Sequence, residues 1–135
     1  MAYVMVVDDN EDLAAFSACV LGEEGHEVAV RFDTASALTD MRNRPPDLAI
    51  LDVMFPGDDF AGMELARAMR KDSGLKRIPI IMLTGVNQEL GMEFSSLDAD
   101  NSWLPITEFM DKPVKPEKLV VSVRAILQAA GAQSK

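Results

Sequence analysis

Three carboxylates, one hydroxyl and one ammonium each stand at or directly after the end of a short apolar run in the sequence. Runs of this length, rich in β-branched residues, predict strands that are buried on both faces, as parallel strands are. Because the carboxyl ends of parallel strands meet at one edge of a sheet, we expect these side chains to lie close together there. They are Asp8, Asp9, Asp52, Thr84 and Lys112.

This combination of groups suits phosphoryl transfer assisted by a divalent cation. Clustered carboxylates repel each other and raise one another's proton affinity unless a cation lies among them. Oxygen ligands without nearby histidine or cysteine suit Mg²⁺ or Mn²⁺, not Zn²⁺. A carboxylate can serve as the nucleophile and form an acyl phosphate, while a lysine and a hydroxyl stabilise the phosphoryl oxygens.

Strand-like runs alternate with segments of helical period along the whole chain. We predict strands at residues 3–7, 26–31, 48–51, 78–83 and 109–111, with helices after the first three strands and from residue 116 onward. This alternation predicts a parallel sheet with helices on both faces, and a single domain over residues 1–135.

Local signals predict how two of the helices begin and pack. For the first helix, Asp9 or Asn10 can cap the N-terminus, and an apolar stripe is expected to face the sheet. For the second helix we expect Thr34 to be the cap. The predicted stripe of the first helix consists of Leu13, Phe16, Val20 and Leu21.

One long segment does not follow the alternating pattern. Residues 87–106 contain Gly91, Pro105 and a polar run at 98–102, with a short helix predicted near 89–97. Twenty such residues between two strands predict an elaborated loop, and loops of this length are often functional or mobile. We expect this segment to be the least regular part of the domain.

The ends of the predicted strands carry a set of four motifs in a fixed order. These are Asp8-Asp9, Leu51-Asp52 with Pro56 four residues on, Leu83-Thr84-Gly85, and Asp111-Lys112-Pro113. Together they resemble the receiver domains of response regulators in two-component signalling, and the resemblance runs from about residue 4 to residue 127. It implies a flavodoxin-like, doubly wound sheet of five strands in the order 2-1-3-4-5.

The resemblance also implies a role for each residue of the site. Asp52 would be the phosphoacceptor, and Asp9 and Asp52 would ligate Mg²⁺ directly together with the backbone carbonyl of Met54. Asp8 would act directly or through water. Thr84 and Lys112 would bind the phosphoryl oxygens.

Switching and partners follow from the same resemblance. Phe109 matches the aromatic position whose rotation accompanies switching, together with Thr84, although plain packing is a competing explanation for an aromatic residue there. The phosphoryl donor would be a histidine kinase or a phosphotransfer protein, and output would pass through contacts with a downstream protein. The chain would then be a switch and not an enzyme, with at most slow self-catalysed phosphorylation and dephosphorylation.

Two departures from the family pattern border the site. The loop after Asp52 is a residue or two longer than usual and carries extra acids at Asp58 and Asp59. Thr84 and Lys112 are separated by 112 − 84 = 28 positions, several more than is usual. These departures affect the expected shape of the partner surface, but not the phosphorylation chemistry.

Other functions remain as alternatives. A receiver-shaped scaffold that works without phosphorylation would not need the acids, Thr84 and Lys112. A phosphatase of the haloacid dehalogenase kind would want a second acid two residues after its nucleophile, where this chain has Met54. A flavodoxin would want a glycine- and hydroxyl-rich loop after the first strand, where the acids would repel phosphate.

Composition sets further limits. A net charge of −9 argues against direct contact with nucleic acid, which requires a basic face. No secretory signal opens the chain and no apolar run could span a bilayer, so a cytoplasmic location without membrane contact is expected. Cys19 is the single cysteine, and we expect it to be packed. No residues follow Lys135, so the chain either acts alone or is the receiver piece of a longer regulator.

Overall fold

Five parallel strands form one sheet in the order β2-β1-β3-β4-β5, which confirms the predicted architecture. The computed structural model describes residues 2–52, 61–84, 107–111 and 114–133. The register is continuous across the sheet: Val7 pairs with both Arg31 and Leu51, and Leu83 pairs with Asp52. The strands are β1 (Tyr3–Val7), β2 (Glu27–Arg31), β3 (Leu48–Asp52), β4 (Ile80–Thr84) and β5 (Glu108–Asp111).

Four helices connect or follow these strands in the described part of the chain. They are α1 (Glu11–Glu23), α2 (Thr34–Asn43), α3 (Ala61–Lys71) and α4 (Pro116–Gln133). Asn10 caps α1 and Asp33 caps α2, each by accepting a hydrogen bond from a backbone N–H three residues on. The expected cap Thr34 is therefore wrong by one position, because the aspartate before it offers the better-placed acceptor.

The sheet separates two apolar cores, as period-2 alternation along buried strands requires. In β1, Met5 and Val7 face one core, and Val4 and Val6 face the other. The first core contains side chains from α2 and α3, and the second contains side chains from α1 and α4. Helices therefore cover both faces of the sheet.

The buried face of α1 differs from the predicted stripe. Leu21 is buried as expected, but Phe16 is 37% exposed, and the other buried residues of the helix are Ala14 and Ser17. Cys19 is exposed, so the prediction that it is packed is wrong. Two of the three buried positions of α1 therefore hold small residues, which the prediction by large apolar side chains did not include.

Two element boundaries shift for identifiable reasons. The fourth strand begins at Ile80 and not at Ile78, because Pro79 has no N–H to donate to the ladder and the Ile78 N–H donates to the carbonyl of Leu75. After α1, Gly25 has φ of +92°, a left-handed conformation that glycine adopts without steric cost. The second strand then starts at Glu27, one residue after the predicted start.

None of the helices within the described ranges is long and apolar enough to cross a bilayer. The predicted irregular segment at residues 87–106, including the short helix expected at 89–97, lies outside the described residues.

Candidate functional site

Three carboxylates converge at the carboxyl edge of the sheet, as the sequence predicts. β1 ends at Val7, so Asp8 and Asp9 leave the sheet beside Asp52, the last residue of the neighbouring strand β3. One carboxylate oxygen from each of the three residues lies within 4.8 Å of the others. Asp52 ends β3 and Asp8 and Asp9 directly follow β1, so the sheet sets the backbone positions from which this carboxylate cluster extends.

Burial gives the cluster its electrostatic character. Asp8 is 1% exposed and Asp52 is 6% exposed, and Asp9 is the most exposed of the three. Like charges this close, two of them out of water, interact more strongly than they would in solvent. A divalent cation among them would replace repulsion by attraction.

The donor set fits a hard cation. All three side chains offer oxygen, the ligand type preferred by Mg²⁺ and Mn²⁺. His26 lies at the opposite edge, before β2, where its Nδ1 accepts a hydrogen bond from the Ala2 N–H at 3.2 Å. Cys19 lies on the exposed side of α1. Within the ranges that the structure describes, no second group of three potential metal-binding side chains is found.

Backbone contacts orient Asp8. Its N–H donates to the carbonyl of Arg31 at the end of β2, at 3.0 Å. Its Oδ1 accepts a hydrogen bond from the Asn10 N–H at 2.9 Å. Asn10 is also the cap of α1, because its own Oδ1 accepts from the Leu13 N–H at 3.1 Å. The sequence predicts the cap but not the contact with Asp8, which depends on how the chain turns between strand and helix.

The other predicted site residues are only partly described. Thr84 is the last residue of β4, and its backbone pairs with Asp111 at the end of β5, so its main chain lies at the same edge as the cluster. The Thr84 side chain, Met54 and Lys112 lie outside the described residues. The structure therefore brings together the three acids and the backbone of Thr84.

Phe109 lies within β5. It is partly buried and packs against the core on the α2 and α3 side of the sheet. This packing agrees with a structural role, and a switching role stays a prediction.

The sequence matches the family model for the response regulator receiver domain over residues 4–124. Among characterised relatives, the DNA-binding response regulator MtrA of Mycolicibacterium smegmatis is 40% identical over 129 residues, which are 93% of this chain and 50% of MtrA. This chain spans about half the length of the curated relatives it matches.

Solved structures agree with the sequence match. NtrX from Brucella abortus superposes with a TM-score of 0.83 at 27% identity, covering 98% of this chain and 28% of the NtrX chain. The chemotaxis response regulator CheY4 of Vibrio cholerae superposes with a TM-score of 0.76 at 28% identity, covering 93% of this chain and 98% of CheY4. With the sheet order, the carboxylate cluster and these matches in agreement, the chain belongs to the response regulator receiver domain family.

Proposed function

We propose that this chain is a phosphorylation-dependent switch that accepts one phosphoryl group on Asp52. The observation that carries the proposal is the carboxylate cluster, with Asp52 at the end of β3 and both Asp8 and Asp9 beside it. A nucleophilic carboxylate next to a cation site is the arrangement that acyl phosphate formation requires.

The proposed transfer balances as a simple displacement. A carboxylate oxygen of Asp52 attacks phosphorus, an O–P bond forms, and the N–P bond of a donor phosphohistidine breaks with its electron pair left on the imidazole nitrogen. Later attack by water on the phosphorus of the acyl phosphate returns the carboxylate and releases inorganic phosphate. The chain is thus a phosphoacceptor that is restored by slow self-catalysed hydrolysis.

Each site residue has a proposed role. Asp9 and Asp52 bind Mg²⁺ (or Mn²⁺) with the backbone carbonyl of Met54, and Asp8 binds directly or through water. When bound, the cation neutralises charge on the carboxylates and on the phosphoryl oxygens. Thr84 and Lys112 bind the phosphoryl oxygens. The backbone position of Thr84 supports this role, and Lys112 is assigned because it directly follows the last residue of β5 in the sequence.

Partners and setting follow from family membership. The donor is a histidine kinase or a phosphotransfer protein, the output is a contact with a downstream protein, and the location is the cytoplasm. We treat residues 1–135 as one receiver domain, because the family match ends within α4 and that helix continues unbroken from Pro116 to Gln133.

A second arrangement is favoured by the length of the relatives. This sequence corresponds to about half of MtrA, which is named as DNA-binding. In that arrangement the chain is the receiver piece of a longer regulator, and phosphorylation of Asp52 controls an attached domain. The length of the intact gene product distinguishes the two arrangements.

The experiment is direct modification. With Mg²⁺ and a small acyl phosphate donor, the intact mass of the wild type should increase by one phosphoryl group, and hydroxylamine should remove it. Asp52→Asn should accept none, because the amide is not a nucleophile. Asp47→Asn is the matched control, since Asp47 lies before β3 at the opposite edge and binds the Tyr3 N–H at 2.8 Å. Modification of Asp52→Asn at the wild-type rate, or none of the wild type at saturating Mg²⁺, would contradict the proposal.

A further inference from the structure

We infer that Asn10 is a positioning residue that couples the first turn of α1 to the carboxylate of Asp8. The inference rests on the proposed function to the extent that the carboxylate cluster binds a divalent cation. Asn10 itself offers no ligand in this proposal. It acts through Asp8, and its contribution is to hold the carboxylate in the orientation that the cation requires.

Three hydrogen bonds meet at Asn10. Its N–H donates to Oδ1 of Asp8 at 2.9 Å, its side-chain Oδ1 accepts from the Leu13 N–H at 3.1 Å, and its carbonyl accepts from the Ala14 N–H at 3.0 Å. The first bond orients a carboxylate of the cluster. The other two bind the same residue to the helix.

The main chain of Asp8 is fixed independently of these bonds. Its N–H donates to the Arg31 carbonyl at the end of β2, at 3.0 Å. Because the backbone is held at the strand end, the carboxylate can change its position only by rotation about its side-chain bonds. The hydrogen bond from the Asn10 N–H restricts that rotation. The direction of that N–H depends on the backbone of residue 10, which the cap to Leu13 holds in an extended conformation.

Loss of the capping oxygen should therefore change the orientation of the Asp8 carboxylate within the cluster. Without it the Leu13 N–H loses its partner, the first turn frays, and the amide of residue 10 no longer points steadily at Asp8. Removing a group that orients a metal ligand typically weakens metal affinity about 10- to 100-fold. Here the amide remains and only its restraint is lost, so we expect Mg²⁺ affinity to fall by about threefold to tenfold.

The test measures Mg²⁺ affinity by titration calorimetry on the purified chain, without any phosphodonor. Asn10→Ala should show the weakened affinity, and Asn10→Gly provides a second variant, because glycine is tolerated at helix caps but has no side-chain oxygen. Asn10→Ser keeps a neutral capping acceptor and should restore the affinity to within about twofold of the wild type.

A matched control separates positioning from helix stability. Asp33 caps α2 through the Ser36 N–H at 2.7 Å, as Asn10 caps α1, and its side chain has no bond to the carboxylate cluster. Asp33→Ala should lower the thermal midpoint while leaving the Mg²⁺ dissociation constant within about twofold of the wild type, measured at 0.15 M salt to screen the lost charge. The amide proton of residue 10 gives a second readout by NMR. It should exchange faster in the Ala and Gly variants than in the wild type and the Ser variant.

The outcomes are distinct. Wild-type Mg²⁺ affinity in both Asn10→Ala and Asn10→Gly would overturn the positioning role while leaving the cation site intact. Equal loss in Asp33→Ala, or no rescue by Asn10→Ser, would assign the effect to stability and would also overturn it. A wild type that binds no Mg²⁺ would refute the proposed function itself.

Discussion

At the residue scale, the reactivity that we propose for Asp52 opposes the folding stability of the domain around it. This carboxylate is 6% exposed and lies within 4.8 Å of two others. Functional sites commonly retain such repulsion, because relieving it would remove the reactive group. We therefore expect repulsion within the carboxylate cluster to lower the folding stability of the domain when no cation is bound.

Asp52→Asn tests this conflict through thermal stability. Without Mg²⁺ the variant should melt above the wild type, because one of three clustered charges is removed. A gain of about 1 kcal/mol corresponds to about 4 °C in Tm for a domain of this size. With Mg²⁺ at 100 times its dissociation constant, binding should stabilise the wild type by about 2.7 kcal/mol, and the variant, which lacks one of the proposed carboxylate ligands, should gain less. The order of the two melting temperatures should therefore reverse, and melting curves in EDTA and in Mg²⁺ check it. An Asp52→Asn variant that melts below the wild type in EDTA would contradict the argument.

The three acids of the site could be predicted from sequence, because each stands at a strand end and the ends of parallel strands share an edge. The Asn10 contact could not. An amide that binds the carboxylate two residues before it is invisible in composition or periodicity, and depends on the turn between β1 and α1. The roles of all the site residues stay predictions, and Met54 and Lys112 also lie outside the described residues.

At the element scale, the packing of α1 shows where periodicity misleads. Phe16 and Leu21 are both large and apolar, yet only Leu21 is buried. Apolar residues lie on both the buried and the exposed sides of α1, so the positions of its large side chains do not identify the buried side. Ala14 and Ser17 occupy the buried positions. The starts of β4 and β2 were predicted two residues and one residue too early, because the missing N–H of Pro79 and the left-handed conformation of Gly25 act on single backbone positions that side-chain periodicity does not report.

Asp72 joins two elements and makes a pH-dependent contribution. It accepts hydrogen bonds from the Gly74 N–H at 2.8 Å and from Arg42 of α2 at 2.9 Å. These contacts, the Gly74 bond first, lower the pKa of the Asp72 carboxyl below its ordinary value of 3.8. A lowered pKa means that the stabilisation is complete above pH 3.8 and is lost as the pH falls through the folded-state value.

Asp72→Asn should therefore be less stable than the wild type at neutral pH, and the difference should shrink below pH 3.8. Urea unfolding at a series of pH values between neutral and strongly acidic measures this difference. Asp12→Asn, on the exposed first turn of α1, is a control that lacks the Arg42 contact. A difference between Asp72→Asn and the wild type that stayed constant down to the acid limit would show that charge is not involved.

At the scale of the whole molecule, the sheet order was predicted through the family motifs, because strand order is not encoded in any local pattern. The net charge is a second property of the whole molecule, and it follows directly from the amino-acid composition. The net charge of −9 applies to the full sequence. A uniform excess of acid repels polyanions at long range whatever the fold, whereas specific protein contacts depend on local surfaces.

The acidic excess of this chain disfavours contact with nucleic acid. MtrA is named as DNA-binding, and this chain matches half of its length. We expect this chain alone not to bind a DNA duplex, because binding requires cationic groups to replace counterions along the phosphates. The densest basic stretch, residues 67–77, holds five cations, but Arg70 already donates to the carbonyls of Lys76 and Ile78 at 3.0 and 2.7 Å.

Fluorescence anisotropy of a labelled duplex in low salt tests this expectation, before and after phosphorylation of Asp52. Added phosphate makes the chain still more acidic, so neither form should raise the anisotropy at micromolar protein. Arg67→Glu with Arg77→Glu serves as the control, since a weak basic contact along this stretch would disappear in that variant. Saturable binding that weakens as salt rises, and that the double variant abolishes, would show that the receiver domain contacts DNA itself.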